Sequence, residues 1–175
     1  APGDVRFVGD PIALVIATDR YTAEDAAELI KIEYESLPPV LDYESADTAE
    51  HLVHTELKTN IGWAGSAEEP TIQEIFDSAD TVVTETFHQH RQNNLPMETR
   101  GLDIHWQDFD DRLDIWASTQ SPHEMKITAA RVLSLGEHQV RVHMGDVGGA
   151  FGQKVFLGRE DIAMLLAGRR VGYPL

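Results

Sequence analysis

The sequence predicts an α+β fold in two parts. Three observations predict it. Apolar β-rich runs are interspersed with amphipathic helical stretches, a segment without periodicity separates an early strand–helix unit from the remainder, and that remainder opens on strand patterns before its helices. With 175 residues the chain can form one ordinary domain or two small ones, burying about 70% of its unfolded surface.

Taken in order, "PIALVIAT" (11–18) is an apolar run of the length and composition of a buried strand. "YTAEDAAELIKIEYE" (21–35) follows as a predicted helix, with Thr22 and Asp25 at capping-box spacing and Ala26, Leu29, Ile30 and Ile32 as its apolar face. The prolines of "LPPV" (37–40) end that unit. Residues 44–70, rich in Glu, Asp, Ala, Thr and His, show no period and read as a solvated linker.

"DTVVTETFHQH" (80–90) alternates as a strand. "GLDIHWQ" and "RLDIWAS" flank the polar turn "DFDD" and predict a β-hairpin. "SPHEMKITAARVLSL" (121–135) is a predicted helix with Ser121 as N-cap and Pro122 at its first position. Met125, Ile127, Ala130, Val132 and Leu133 form its inner face, and Gly136 closes it. "QVRVHM" gives a short strand, and "GREDIAMLLAGRRV" (158–171) a helix whose early acids and late arginines suit its dipole.

Composition excludes several classes of function. A formal charge of −16 with only 14 Lys and Arg argues against nucleic acid, because attraction to phosphate backbones comes chiefly from those cations. No apolar run approaches the ~20 residues of a membrane-spanning helix, so no membrane span is expected. With no cysteine, disulfides, thiolate-held zinc and iron–sulfur clusters cannot form within these residues. The start "APGDVRFVGD" has neither initiator Met nor the basic and apolar regions of an export signal, and "RRVGYPL" ends abruptly after a predicted helix. The expectation is a fragment at both ends.

The most distinctive stretch is "GDVGGAFGQK" (145–154), where Gly145, Gly148, Gly149 and Gly152 surround Phe151. A strand running into such a turn can aim several backbone N–H groups at one anionic ligand. A tight loop that binds nothing is the alternative that glycine content leaves open. The dinucleotide fingerprint and the phosphate-binding Walker loop both fail here, since Gly152 is followed by Gln153 and Lys154, and an ATP or NAD site is poorly supported.

Five blocks occur in the order in which they stand in the molybdenum hydroxylases: "VRFVGDPIALVIATDRYTAEDAAELIKIEYESLPPV" (5–40), "LPMETRG" (95–101), "STQSPH" (118–123), "VRVHMGDVGGAFGQK" (140–154) and "GREDIAMLLAGRRVGYP" (158–174). The chain resembles part of the molybdopterin-binding large subunit of the xanthine dehydrogenase, aldehyde oxidase and carbon monoxide dehydrogenase family. That resemblance implies the end of an α/β hammerhead domain at residues 1–48, a linker at 49–69, and the first part of a molybdenum-cofactor-binding domain at 70–175. It also implies oxidation of a small substrate (an aldehyde, a heterocycle or CO) with water-derived oxygen on a molybdenum-pyranopterin, either molybdopterin or its cytosine dinucleotide form. FAD and iron–sulfur clusters on partner subunits or domains would take the electrons, and the setting would be cytoplasmic.

By position, the resemblance makes Gln120 the carboxamide beside an oxygen ligand of the metal. It makes Gly148, Gly149, Ala150, Phe151 and Gly152 the turn facing the cofactor, with the Phe151 ring as the catalytic pocket wall; no residue is expected to ligate the metal directly. Ala150 replaces the family's usual third glycine, which matters only if that position needs positive φ. Val155 follows Lys154 where purine-oxidising members carry glutamate, so the resemblance does not extend to purine recognition. The family's catalytic glutamate lies toward the end of the large subunit, outside these residues, and the segment alone is expected to be inactive. A non-catalytic binding or assembly module, or a truncated remnant, is the alternative.

Other candidates have simpler readings. His88 and His90 share a strand face and could hold a metal only with a third ligand. His51 and His54 fall in the linker, and His123 in a first helical turn suits capping or packing as well as a place near the cofactor channel. Glu98 and Arg100 form a local ion pair or line a substrate funnel. Glu160 and Asp161 answer to the helix dipole.

Overall fold

The computed structural model describes residues 3–65, 69–107 and 109–175. Asp108 of the hairpin turn and Ser66, Ala67 and Glu68 of the expected linker lie outside the described residues. Two compact units emerge, one formed by residues 1–27 with 91–175 and the other by residues 28–90.

In the first unit, helix α1 spans Arg20–Glu28. Its cap is Asp19, not Thr22: the Asp19 carboxylate accepts from the Thr22 amide at 2.9 Å and from the Thr22 hydroxyl at 2.8 Å. The helix stops well short of residue 35 because Ile30, Ile32 and Tyr34 alternate with charged residues, a two-residue period that suits extended chain. Residues 11–18, expected as a strand, belong to no sheet among the described residues. Alternation makes a segment competent for a sheet; only a partner makes it a strand.

The hairpin forms as expected. Strand β1 (Leu102–Gln107) pairs antiparallel with β2 (Arg112–Ala117), Leu102 opposite Ala117 and Gln107 opposite Arg112. Helix α3 (Pro122–Leu133) then crosses to strand β3 (Val140–His143), which lies parallel to β2 with Leu113 opposite Val140 and Trp116 opposite His143. The sheet order is β1-β2-β3. Leu175 exchanges both backbone hydrogen bonds with Ile104, at 2.9 and 3.1 Å, along the outer edge of β1.

Helices α3 and α4 (Arg159–Val171) supply the buried partners for one sheet face. Ile104, Leu113, Ile115, Val140, Met125, Ala129, Ala130, Leu133 and Leu165 form the core, each large aliphatic contributing about 1.5–3 kcal/mol by leaving water. Two features of α3 differ from the sequence reading. Ala129 is buried while Val132 is exposed, and the left-handed residue at the helix end is Ser134 (φ 57°), not Gly136, which opens the next short turn instead. Ser121 occupies the N-cap position, yet its hydroxyl makes no capping bond. Helix α4 comes close to β1 at Gly168, where any Cβ would collide with the Ile104 side chain.

In the second unit, helix α2 (Ile72–Ser78) is the longest regular element among the described residues. Asn60 ties residues 46–53 together: its carboxamide accepts from the Val53 amide at 2.8 Å and donates to the Ala46 and His51 carbonyls at 2.9 and 2.8 Å. Residues 80–90 have no strand partner among the described residues, so the expected strand is absent there too.

Candidate functional site

Parallel pairing builds the site. Because β2 and β3 run the same way and Trp116 stands opposite His143, the chain leaving each strand emerges from the same edge of the sheet. Ser118–Gln120 after β2 and the glycine stretch after β3 are thereby delivered side by side, as loops at the carboxyl ends of parallel strands are.

The glycine stretch closes in a tight turn. The Gln153 amide donates to the Ala150 carbonyl at 2.9 Å, and the two central residues, Phe151 and Gly152, have φ of 50° and 90°. These are the φ values of a type I′ turn, a shape in which glycine is at home and phenylalanine is not. Ala150 is not among the residues of positive φ, so alanine there costs the backbone nothing.

Gln120 holds the turn from one side. Its carboxamide oxygen accepts from the Gly152 amide at 3.0 Å and the Lys154 amide at 3.4 Å. The Lys154 carbonyl in turn accepts from the Gln120 amide at 3.2 Å and from the buried Thr119 hydroxyl at 2.9 Å. Residues 94–98 hold it from the other. Asn94 donates its side-chain amide to the Phe151 carbonyl at 2.7 Å. The Glu98 carboxylate accepts from the Gly148 amide and, at 3.3 Å, from the Lys154 ammonium, which is fully buried and also donates to the Ser118 hydroxyl at 2.6 Å. The Gly148 amide, the Ser118 hydroxyl and Lys154 hold the Glu98 carboxyl below its ordinary value.

What the turn leaves unpaired is chemically specific. Among the described residues, no acceptor meets the amides of Gly149, Ala150 or Phe151, and the Gln120 side-chain NH2 donates to nothing. Donors held rigidly and left open suit a group that presents oxygens. The Phe151 ring, 67% exposed, stands over Gly149, where a Cβ would come within 3.0 Å of its edge. The residues thus fit an oxygen-rich cofactor lying against the turn.

Other sequence candidates take different places. Glu98 and Arg100 do not pair with each other. Arg100 pairs with Glu160 at 3.0 Å and with Asp161, and buried Asp161 also accepts from the Gly158 amide at 2.7 Å. Asp161 is therefore a cap and an ion-pair partner rather than a mere dipole complement. His123 is exposed. In the second unit His88 lies 3.7 Å from Glu44, and His54 pairs with Glu56 at 2.9 Å. Among the described residues no three His, Asp or Glu side chains converge to hold a metal ion.

Sequence reasoning missed the buried Lys154, the Glu98 contacts and Asn94, since the contacts that join residues 94–98 to the turn reach across 50 residues or more. It also missed Asp114, a buried carboxylate on β2 that accepts from His143 at 2.9 Å, where the His143 ring stacks on Trp116 at 4.6 Å. A wider groove of about 820 Å³, lined by Leu14, Ile16, Leu102, Met164 and Leu175 among others, contains none of the turn residues.

Residues 53–175 match the family model of the molybdopterin cofactor-binding domain, and residues 1–38 match that of the aldehyde oxidase and xanthine dehydrogenase a/b hammerhead domain. The nicotine 6-hydroxylase large subunit of Paenarthrobacter nicotinovorans is 37% identical over 171 residues, a stretch covering 98% of this chain and 21% of that protein. The crystal structure of quinoline 2-oxidoreductase from Pseudomonas putida 86 superposes with a TM-score of 0.72 at 34% identity, covering 90% of this chain and 20% of that one. Reconstituted CO dehydrogenase from Oligotropha carboxidovorans gives a TM-score of 0.78 at 27% identity, covering 90% of this chain and 21% of that one. The chain spans about a fifth of the length of the curated relatives it matches. With matches reaching from residue 1 to residue 175, it belongs to the molybdenum hydroxylase family, as a stretch of the large subunit that joins the hammerhead domain to the molybdopterin cofactor-binding domain.

Proposed function

We propose that these residues form one wall of the active centre in a molybdenum-dependent hydroxylase that oxidises a small substrate carbon. The observation that carries this reading is the open donor set: the Gln120 NH2 and the amides of Gly149, Ala150 and Phe151, fixed by hydrogen bonds on either side and paired with nothing among the described residues.

In this reading the turn Gly148, Gly149, Ala150, Phe151 and Gly152 faces the molybdenum-pyranopterin and would hold it through the open amides of Gly149, Ala150 and Phe151, and Gln120 would donate from its side-chain nitrogen to an oxygen of the group. When bound, the cofactor supplies oxygen transfer and the two-electron redox step. The protein's part is orientation and exclusion of water. Gln120 is pinned through its oxygen, so its nitrogen is presented in one direction. Phe151, held in the left-handed region by the turn, projects an apolar face over the donors, which shapes the substrate side and strengthens hydrogen bonding there by keeping water out.

Residues 1–48 would then close the hammerhead domain, 49–69 would link, and 70–175 would open the cofactor domain. FAD and iron–sulfur clusters on partner subunits would carry electrons away, the pterin would be either molybdopterin or its cytosine dinucleotide form, and the assembly would be cytoplasmic. No helix among the described residues is long and apolar enough to cross a membrane. Aldehydes, N-heterocycles and CO are the substrate classes; relatives named for nicotine and quinoline, at 37% and 34% identity, favour an aromatic N-heterocycle. Val155, in place of a glutamate after Lys154, weighs against purines.

Elemental analysis and dye-linked oxidation test this. The full-length polypeptide carrying these residues is expected to hold molybdenum in stoichiometric amount and to oxidise a heterocycle, and the isolated 175 residues to do neither. A full-length protein devoid of molybdenum and pterin would leave the non-catalytic assembly module as the better reading.

A further inference from the structure

We propose that Glu98 is the positioning residue of the glycine turn, a carboxylate that ties its first and last residues together and so fixes the direction of the amides between them. The proposal rests on the cofactor reading for its purpose, but its geometry stands apart from it.

Glu98 meets both ends of the turn. Its backbone amide donates to the Gly148 carbonyl at 3.3 Å while its carboxylate accepts from the Gly148 amide. The same carboxylate oxygen accepts from the Lys154 ammonium at 3.3 Å. Between these two anchors lie the residues with open amides, Gly149, Ala150 and Phe151. Gly148 itself is explained by this contact. It does not have positive φ, but a Cβ there would stand 2.6 Å from the Glu98 Cβ, so only glycine lets the segment at 98 approach closely enough.

The charge matters as well as the shape. Lys154 has its ammonium fully buried, and a buried cation must be paired to be tolerated. Glu98 is the carboxylate that meets it, with Ser118 completing its hydrogen bonds. Lys154 also carries the backbone groups that join the turn to Thr119 and Gln120. A carboxylate at 98 therefore sets where Lys154 sits, and Lys154 sets the spacing between the turn and the Gln120 NH2. Glu98 touches no reacting atom in this arrangement; it acts through the turn.

Glu98→Gln in the full-length protein is the test, because it keeps the side chain's shape and removes its charge. Hydrogen exchange across residues 145–155, read by mass spectrometry, is expected to speed up about tenfold beyond any change at the amides of the β1–β2 hairpin, which report the overall loss of stability. Molybdenum and pterin contents are expected to fall several-fold in the same preparation, and the molybdenum electron paramagnetic resonance signal of whatever remains to broaden. Lys154→Met removes the other end of the tie and should give the same local exchange pattern, which keeps the test valid if one variant folds poorly. Unchanged exchange at 145–155 in both variants would overturn the tie. Faster exchange with full molybdenum content and an unaltered signal would overturn the positioning role. Wild-type protein without molybdenum would instead overturn the cofactor reading, and exchange would still decide the tie.

Discussion

Gln120 and Gly152 are joined across 32 residues of sequence: the Gly152 amide donates to the Gln120 carboxamide oxygen at 3.0 Å. One atom of the side chain is thus spent on the protein and the other is left for a ligand. Gln120→Glu separates the two uses. A carboxylate still accepts from the Gly152 and Lys154 amides, so stability should stay within about 1 kcal/mol of wild type. The outward donor, however, becomes an acceptor facing the cofactor's oxygens, and losing a hydrogen bond of that kind costs about 1.5–3 kcal/mol, or roughly 10–150-fold in affinity. Urea unfolding paired with molybdenum analysis of the full-length protein checks both halves. A variant that retains the metal fully would show that Gln120 serves only the turn.

Phe151 has φ 50° and is 67% exposed, so the protein gains little burial from a ring that it holds in unfavourable backbone geometry. Phe151→Ala and Phe151→Gly remove the same ring, but only glycine relieves the φ. The glycine variant should be more stable than the alanine variant by about 1 kcal/mol, since the left-handed region penalises any Cβ by more than glycine's added chain entropy. Denaturant titration of the two side by side checks this. Equal stabilities would mean that the turn relaxes without the ring and that no strain is held there.

The hairpin, α3, β3 and α4 were legible because their signals are local: alternation, a proline at a helix start, acids early and arginines late. Their meeting was not. Gln120 and the glycine turn come together because β2 and β3 are parallel neighbours, and alternation in a sequence does not say which strand lies beside which. The same gap explains residues 11–18 and 80–90, whose patterns are those of strands but which have no partner among the described residues. Glu98 reads in sequence as a partner of Arg100 or a lining of a substrate funnel; its pairing with Lys154 at 3.3 Å follows from the path of residues 91–101, which carries no periodic signal. The resemblance to a family supplied Gln120 and the turn, while Asn94, Lys154 and the contacts of Glu98 became visible only in three dimensions.

Two glycines of the stretch should respond in opposite ways to the same substitution. At Gly145 an added Cβ meets nothing within 4 Å, and Gly145→Ala should change stability by less than about 0.5 kcal/mol. At Gly148 it would meet the Glu98 Cβ at 2.6 Å, forcing the backbone apart at a cost of about 1–3 kcal/mol. Thermal unfolding of the pair checks the contrast. Equal tolerance at both sites would mean that the segment at 98 does not press on the turn.

Asp114 gives the pH dependence its sign. Burial alone would raise its pKa, but hydrogen bonds from His143, Gln107 and Arg112, with the Arg112 charge, bring it below the ordinary 3.8. A carboxyl whose folded pKa lies below its unfolded one stabilises the fold fully above the unfolded value, and that contribution fades as pH falls through the folded one. Asp114→Asn keeps the shape and removes the charge, so it should lower the unfolding free energy by about 1.5–3 kcal/mol at neutral pH, the worth of a hydrogen bond to a charged group. The difference between wild type and variant should narrow as pH drops below about 4, because the carboxyl of the unfolded chain then takes up a proton that the folded carboxyl still resists. Urea titrations at about pH 6 and about pH 3 decide it. A gap that stays constant between them would assign the loss to packing against Trp116 and His143 rather than to charge.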